Sequence, residues 1–243
     1  MATAAPISLT GGTLSAVLFD MDGTLVDVDS FHYEAYADTL QAMEPGWNGG
    51  ARITRDFYAA RMSGRQNQVL LADILPHVSP ERAAAIAAAK EAAYMNRTRR
   101  GVPPLAGVMP LLDALAAAGV AVGVVTNAPR RAAAHTLTAA GFVGCFSVVV
   151  VADEVARPKP DPAPYVAGCR AVGVKAGEAI AFEDSPSGVK SAVAAGLLTI
   201  GVATGHAPAT LTAAGAALVI ADYTDAALGA AVRRWLAAAP ART

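Results

Sequence analysis

Cysteine is nearly absent from this chain, with only Cys145 and Cys169 in 243 residues. Two thiols cannot build a metal site alone and, at this length, do not read as a disulfide framework. A reduced, cytoplasmic setting is expected, with both acting as small buried apolar side chains. Excess charge of either sign is missing too: 19 basic against 20 acidic residues give a net charge of −1. That excludes the electrostatic footprint of a nucleic-acid or anionic-membrane partner. No run of about 18 large apolar residues could span a bilayer. The first 12 residues lack Lys, Arg and a long apolar core, so no secretory signal is expected. Nothing signals an obligate protein partner. Lysine supplies only four of the basic residues, while alanine supplies 58 residues, a bias that points to a GC-rich genome.

Much of the 54% hydrophobic content is therefore helix-forming alanine rather than large core side chains. The length allows one or two domains. Short β-rich apolar runs recur at 16–20, 120–126, 147–151, 179–183, 198–202 and 218–221. Between the later ones lie alanine-rich stretches at 110–118, 130–140, 161–172 and 186–195, each followed by a glycine. Glycine there stops a helix because it enters the left-handed conformation without strain. Asp161-Pro162 and Ser185-Pro186 read as helix starts, a capping side chain followed by proline. Alternation of strand and helix predicts a parallel sheet covered on both faces. About 100 residues separate the first two strands, too many for one crossover. Helical patterns at 31–43, 54–62, 66–75 and 80–99, ending before Pro103-Pro104, predict an inserted helical domain. The expected fold class is α/β: a Rossmann-like parallel sheet core, 13–28 and 103–243, with an inserted four-helix domain at 29–102.

Parallel sheets of this kind bind ligands at the carboxyl ends of their strands. The first strand ends in Asp20-Met21-Asp22-Gly23-Thr24, the second in Thr126-Asn127 and the fourth in Glu183-Asp184-Ser185; Arg157-Pro158-Lys159-Pro160 follows the third. Each motif alone has an ordinary structural explanation: a turn, a strand end, a solvated lysine, an acid pair at a helix start. Together they bring four carboxylates, one lysine and a hydroxyl to one crevice. Carboxylates so grouped repel one another unless a divalent cation sits among them, and lysine and hydroxyl suit phosphoryl oxygens.

This set of motifs resembles the haloacid dehalogenase-like superfamily, in the branch of phosphatases and β-phosphoglucomutases that carry a four-helix cap. The resemblance covers nearly the whole chain, though the insert matches only in placement and type. It implies that Asp20 is a nucleophile forming an aspartyl-phosphate and that Asp22 is the general acid and base. Mg²⁺ would be held by Asp20, Asp184 and the Asp22 backbone carbonyl, with Glu183 acting through water. Thr126 and the Asn127 backbone would hold phosphoryl oxygens, and Lys159 would neutralise charge. Thr24 would buttress the first loop, and Gly23 would allow close backbone approach. In this branch a histidine at the position of His32 faces the substrate from the hinge. Arg65, in Ser63-Gly64-Arg65-Gln66-Asn67 between two helical runs, is a candidate for a substrate hydroxyl or a second anion. Asp27 reads as a junction loop residue, His77, His135 and His206 as structural, and Trp47 and Trp235 as packing residues.

The resulting expectation is a Mg²⁺-dependent phosphatase for a small phosphorylated metabolite, of sugar phosphate or phosphoglycolate type. The alternative is a β-phosphoglucomutase-like mutase, which needs a clamp for a second phosphate. The insert offers Arg65 and a single lysine, Lys90, far along its last helix. A dehalogenase is disfavoured by Asp22, and a phosphonatase by the lack of an early lysine in the insert. A non-catalytic binding protein would have lost the acids retained here.

Overall fold

The apolar runs pair into one six-stranded parallel sheet in order β3-β2-β1-β4-β5-β6, with β1 at Ala16–Phe19, β2 at Ala121–Thr126, β3 at Val148–Val151, β4 at Ala179–Glu183, β5 at Leu198–Val202 and β6 at Leu218–Ile220. The computed structural model describes residues 9–237 except residue 11. Most of the segment read for a secretory signal, and the last six residues assigned to the core, lie outside that range. Among the described residues no helix is long and apolar enough to cross a membrane.

Alternate side chains of β1 serve opposite faces, as extended backbone requires. Val17 and Phe19 join one core with Val124, Ile180, Phe182 and Ile200. Ala16 and Leu18 join the other with Val125, Tyr165, Cys169 and Ala181. Both faces are covered by helices: the connecting helices α5 (Val108–Ala117), α6 (Arg130–Ala139), α7 (Ala163–Val172), α8 (Pro186–Ala194) and α9 (Pro208–Ala214), and α10 (Ala226–Ala237) after the last strand, with α1 to α4 lying between β1 and α5. The strand order reverses at β1 and β4, so the crevice at their carboxyl ends is the switch point where such sheets take ligands.

Three helix starts differ from expectation by two residues, the first helix after β1 beginning at Asp29 rather than 31. Helix α7 begins at Ala163 rather than 161, because the Asp161 carboxylate caps from further out, accepting from the Ala163 N–H at 2.9 Å. Helix α5 starts at Val108, two residues early, following Gly107 at φ 79°. Ser185 behaves as read: its hydroxyl accepts from the Gly188 N–H at 3.1 Å, capping α8.

Between β1 and α5 lie four helices: α1 (Asp29–Met43), α2 (Arg55–Arg61), α3 (Asn67–Ile74) and α4 (Pro80–Thr98). Thr54 and Ser79 cap α2 and α4 through their hydroxyls. These helices bury a core of their own around Tyr36, Leu40, Tyr58, Met62, Leu70 and Ile86. The two connecting segments run side by side, Leu105 N–H donating to the Leu25 carbonyl at 2.9 Å. Trp47 packs beside Phe57 and donates to the Ile74 carbonyl, and Trp235 is buried in the sheet core. His77 is exposed, and His135 is bonded to Thr98. Cys169 is buried, but Cys145 is only half-buried.

Candidate active site

Four neighbouring strands deliver the site, which is why motifs far apart in the chain meet. Asp20 directly follows β1, and its N–H donates to the Phe182 carbonyl of β4 at 2.9 Å, extending the ladder by one rung. That rung sets Asp20 beside Glu183 and Asp184. Carboxylate oxygens of Asp20, Glu183 and Asp184 all lie within 4.8 Å of one another, and all three residues are buried.

Lys159 binds this cluster together. Its ammonium donates to Asp20 Oδ1 at 2.5 Å, to Glu183 Oε1 at 2.6 Å and to the Val125 carbonyl at 2.7 Å. An ammonium has three N–H donors, so all are taken by protein acceptors. Glu183 is fully buried and also accepts from the Tyr165 hydroxyl at 2.9 Å and from Ser185 Oγ at 3.3 Å. Gly188 makes room for it: a Cβ there would lie 1.9 Å from the Glu183 carboxyl.

One ammonium among three buried carboxylates leaves excess negative charge. Burial pushes Asp20 up to about 7, with Lys159 opposing and Glu183 adding to the rise. Burial, Asp20 and Glu183 push Asp184 well above the usual carboxylate range. Lys159 itself is raised, because its two carboxylate partners outweigh its burial. Oxygen donors this close and this short of positive charge fit a hard divalent cation. Gly23 keeps the space beside Asp184 open: at φ 83°, its missing Cβ would fall 2.2 Å from Asp184 Oδ2.

The first loop is held by residues that sequence reasoning did not single out. Thr204 Oγ1 donates to the Gly23 carbonyl at 2.6 Å, and the Tyr223 hydroxyl donates to the Thr24 carbonyl at 3.0 Å. Thr24 is buried, its hydroxyl 3.5 Å from Asp184 Oδ1. Thr126 Oγ1 accepts from the Ala128 N–H at 3.0 Å, which leaves its own proton for another acceptor. Asn127 accepts from the Lys159 N–H and donates to the Gly64 carbonyl of the insert at 3.2 Å.

A cleft opens here between sheet and insert. The sheet contributes Asp20, Asp22, Thr126, Asn127, Lys159 and Asp184, and the insert contributes His32, Arg65, Lys90 and Glu91. All the candidate site residues except the fully buried Glu183 line it; Asp27 does not. His32 stacks on Tyr94 at 4.0 Å between ring centres, with Nδ1 2.9 Å from Lys90 Nζ and Nε2 3.5 Å from Asp22 Oδ2. Lysine only donates, so Nδ1 accepts and a neutral ring carries its proton on Nε2, the side of Asp22. Arg65 donates to Asp73 at 2.8 Å and to the Arg61 carbonyl at 2.9 Å. Glu91 was missed as a site residue, and Lys90 enters the sequence reading only as the insert's one lysine for a second-phosphate clamp; their place on α4 across from α1 brings both here.

A model of the haloacid dehalogenase-like hydrolases matches residues 14–196. Validoxylamine A 7'-phosphate phosphatase of Streptomyces hygroscopicus is 31% identical over 86% of this chain and 93% of its own length. Phosphoglycolate phosphatase of Rhodospirillum rubrum is 32% identical over 86% of this chain and 88% of its own. A crystal structure of mutant CbbY from Rhodobacter sphaeroides, in complex with xylulose-(1,5)bisphosphate, superposes with a TM-score of 0.79 at 25% identity, covering 88% of this chain and 96% of that one.

Proposed function

This chain belongs to the haloacid dehalogenase-like hydrolase family, and from that premise we propose that it is a Mg²⁺-dependent phosphatase working through an aspartyl-phosphate on Asp20. The observation that carries this reading is the buried Asp20 carboxylate, oriented by Lys159 and set against Glu183 and Asp184 at the switch point of the sheet. The relatives are phosphatases by name, which supports the same chemistry.

In this reading an Asp20 carboxylate oxygen attacks phosphorus and the bond to the leaving oxygen breaks. Asp22, two residues on, protonates that oxygen. Water then attacks the phosphoryl group, Asp22 takes its proton, and the Asp20 carboxylate is released with inorganic phosphate. Thr126, with a free hydroxyl proton, and the Asn127 backbone hold phosphoryl oxygens. His32 supports Asp22 from the insert and meets the leaving group. Lys159, all of whose donors bond to protein, acts by orienting Asp20 and by its charge rather than by a hydrogen bond to substrate. Asp20, Asp184 and the Asp22 carbonyl would hold Mg²⁺, with Glu183 behind them. The ion would supply charge neutralisation at the phosphoryl oxygens. Residues 29–102 act as a cap over a core of 13–28 and 103–243, and Arg65 and its loop contribute to substrate selection.

The test is a panel of phosphomonoesters with Mg²⁺, scored for free phosphate and for isomerised product. Multiple turnovers of phosphate without a bisphosphate activator are expected. A strict bisphosphate requirement, with isomer but little free phosphate, would establish the mutase instead.

A further inference from the structure

The loop that carries Asp22 is tied down from outside itself. Its own hydrogen bonds run inward: the Leu25 N–H donates to the Met21 carbonyl at 2.8 Å, and the Gly23 N–H donates to the Val26 carbonyl at 2.7 Å. The Gly23 and Thr24 carbonyls take no bond from within the loop. Each accepts instead from a hydroxyl on a distant segment. Thr204, just past β5, donates to the Gly23 carbonyl at 2.6 Å, and Tyr223, just past β6, donates to the Thr24 carbonyl at 3.0 Å.

Gly23 is the reason such ties matter. It stands at φ 83°, and a Cβ there would fall 2.2 Å from Asp184 Oδ2, so a side chain has no room. Glycine also restrains the backbone less than any other residue. A trans peptide is planar, so the Asp22 carbonyl points opposite to the Gly23 N–H. Its direction depends on how Gly23 is held at both ends. Val26 holds the N–H, and Thr204 holds the carbonyl from the cleft, which it lines. Tyr223 is a firm anchor for the next carbonyl. It is buried, its ring centre lies 5.1 Å from that of Phe182, and its N–H donates to the Ala106 carbonyl at 3.0 Å.

Building on the reading that the Asp22 carbonyl holds Mg²⁺, we infer that Thr204 and Tyr223 are positioning residues for the metal site. Their hydroxyls clamp successive carbonyls of the first loop, fix the direction of the Asp22 carbonyl and so set the affinity for the ion. Both act through the loop backbone. The segments after β5 and β6 thereby become part of the catalytic apparatus, although neither supplies a group to the reaction.

The test measures the Mg²⁺ requirement in two ways, as the rise in melting temperature during a Mg²⁺ titration and as the Mg²⁺ concentration for half-maximal phosphate release from p-nitrophenyl phosphate. The proteins are the wild type, Thr204→Val, Thr204→Ser and Tyr223→Phe. Valine keeps the shape of threonine without its hydroxyl, and serine keeps the hydroxyl. Thr204→Val and Tyr223→Phe should each need about 10–100-fold more Mg²⁺ by both measures, the range for groups that orient metal ligands. Thr204→Ser should behave as the wild type does. A purely structural role would lower the melting temperature in chelator and leave the Mg²⁺ requirement unchanged. That result in Thr204→Val, or in Tyr223→Phe should Thr204→Val fail to fold, would overturn the inference, as would an equal loss in Thr204→Ser. A wild type whose melting and turnover both ignore Mg²⁺ would instead bring down the metal reading on which the inference rests.

Discussion

Lys159 and Asp20 form a buried ion pair at 2.5 Å in which the lysine is shared with Glu183 at 2.6 Å. Removing one partner of a buried pair leaves uncompensated charge and destabilises by about 3–5 kcal/mol. Lys159→Met should abolish turnover and lower the melting temperature by roughly 10 °C for a chain of this size. Lys159→Arg should not restore activity, since a planar fork cannot replace three diverging donors in a space this closed. Thermal melts beside phosphate release check both statements.

The raised Asp20 sets the pH response of the metal-free protein. Its carboxyl titrates near 7 when folded, against 3.8 ordinarily. The folded state therefore binds the extra proton between those values, and stability falls as pH rises through that window, by on the order of 4 kcal/mol once pH exceeds about 7. Asp184 shifts in the same direction. In chelator, melting temperature should be lower at pH 8 than at pH 5.5, and added Mg²⁺ should raise it more at pH 8. An equal gain at both values would contradict the cation site.

Asp20 and Asp22 should separate by role. Asp20→Asn should lose all turnover, because an amide does not attack phosphorus. Asp22→Asn should lose roughly 10²–10⁴-fold, the range of general acid–base help, while Mg²⁺ still raises its melting temperature, since only the backbone of residue 22 is assigned to the ion. Asp184→Ala should weaken that Mg²⁺ response.

Gly188→Ala tests how Glu183 is seated. The added methyl would overlap the Glu183 carboxyl at 1.9 Å. Although alanine favours the helix by up to about 1 kcal/mol, the variant should melt lower than wild type and turn over more slowly. A more stable, fully active Gly188→Ala would show that Glu183 moves freely.

Much of this site is legible in the sequence. A strand end is where a parallel sheet exposes side chains, so Asp20, Thr126 and Asp184 announce themselves by following apolar runs. Lys159 was legible through its two flanking prolines. The supports were not: Thr204 and Tyr223 act on backbone carbonyls, and nothing in their neighbourhoods marks an acceptor 181 or 199 residues away. Lys90 stands far along its helix in the sequence, yet it lies 2.9 Å from His32. Distance along a helix says little about distance across a pair of packed helices.

By itself, the sequence determined the alternation of elements, the interruption after the first strand and the chemistry at the strand ends, because these depend on local periodicity and on residue type. Only the tertiary structure decided which donors each charge keeps. Lys159 spends its three protons on protein, Arg65 shares Asp73 with Arg61, and the buried Glu91 Oε2 has no partner among the described residues. Hydrogen bonds and ion pairs act over a few ångströms between groups that packing alone brings together. The polarity of the cavity wall therefore became visible only once α4 lay against α1 and the loop around Gly64 lay on Asn127.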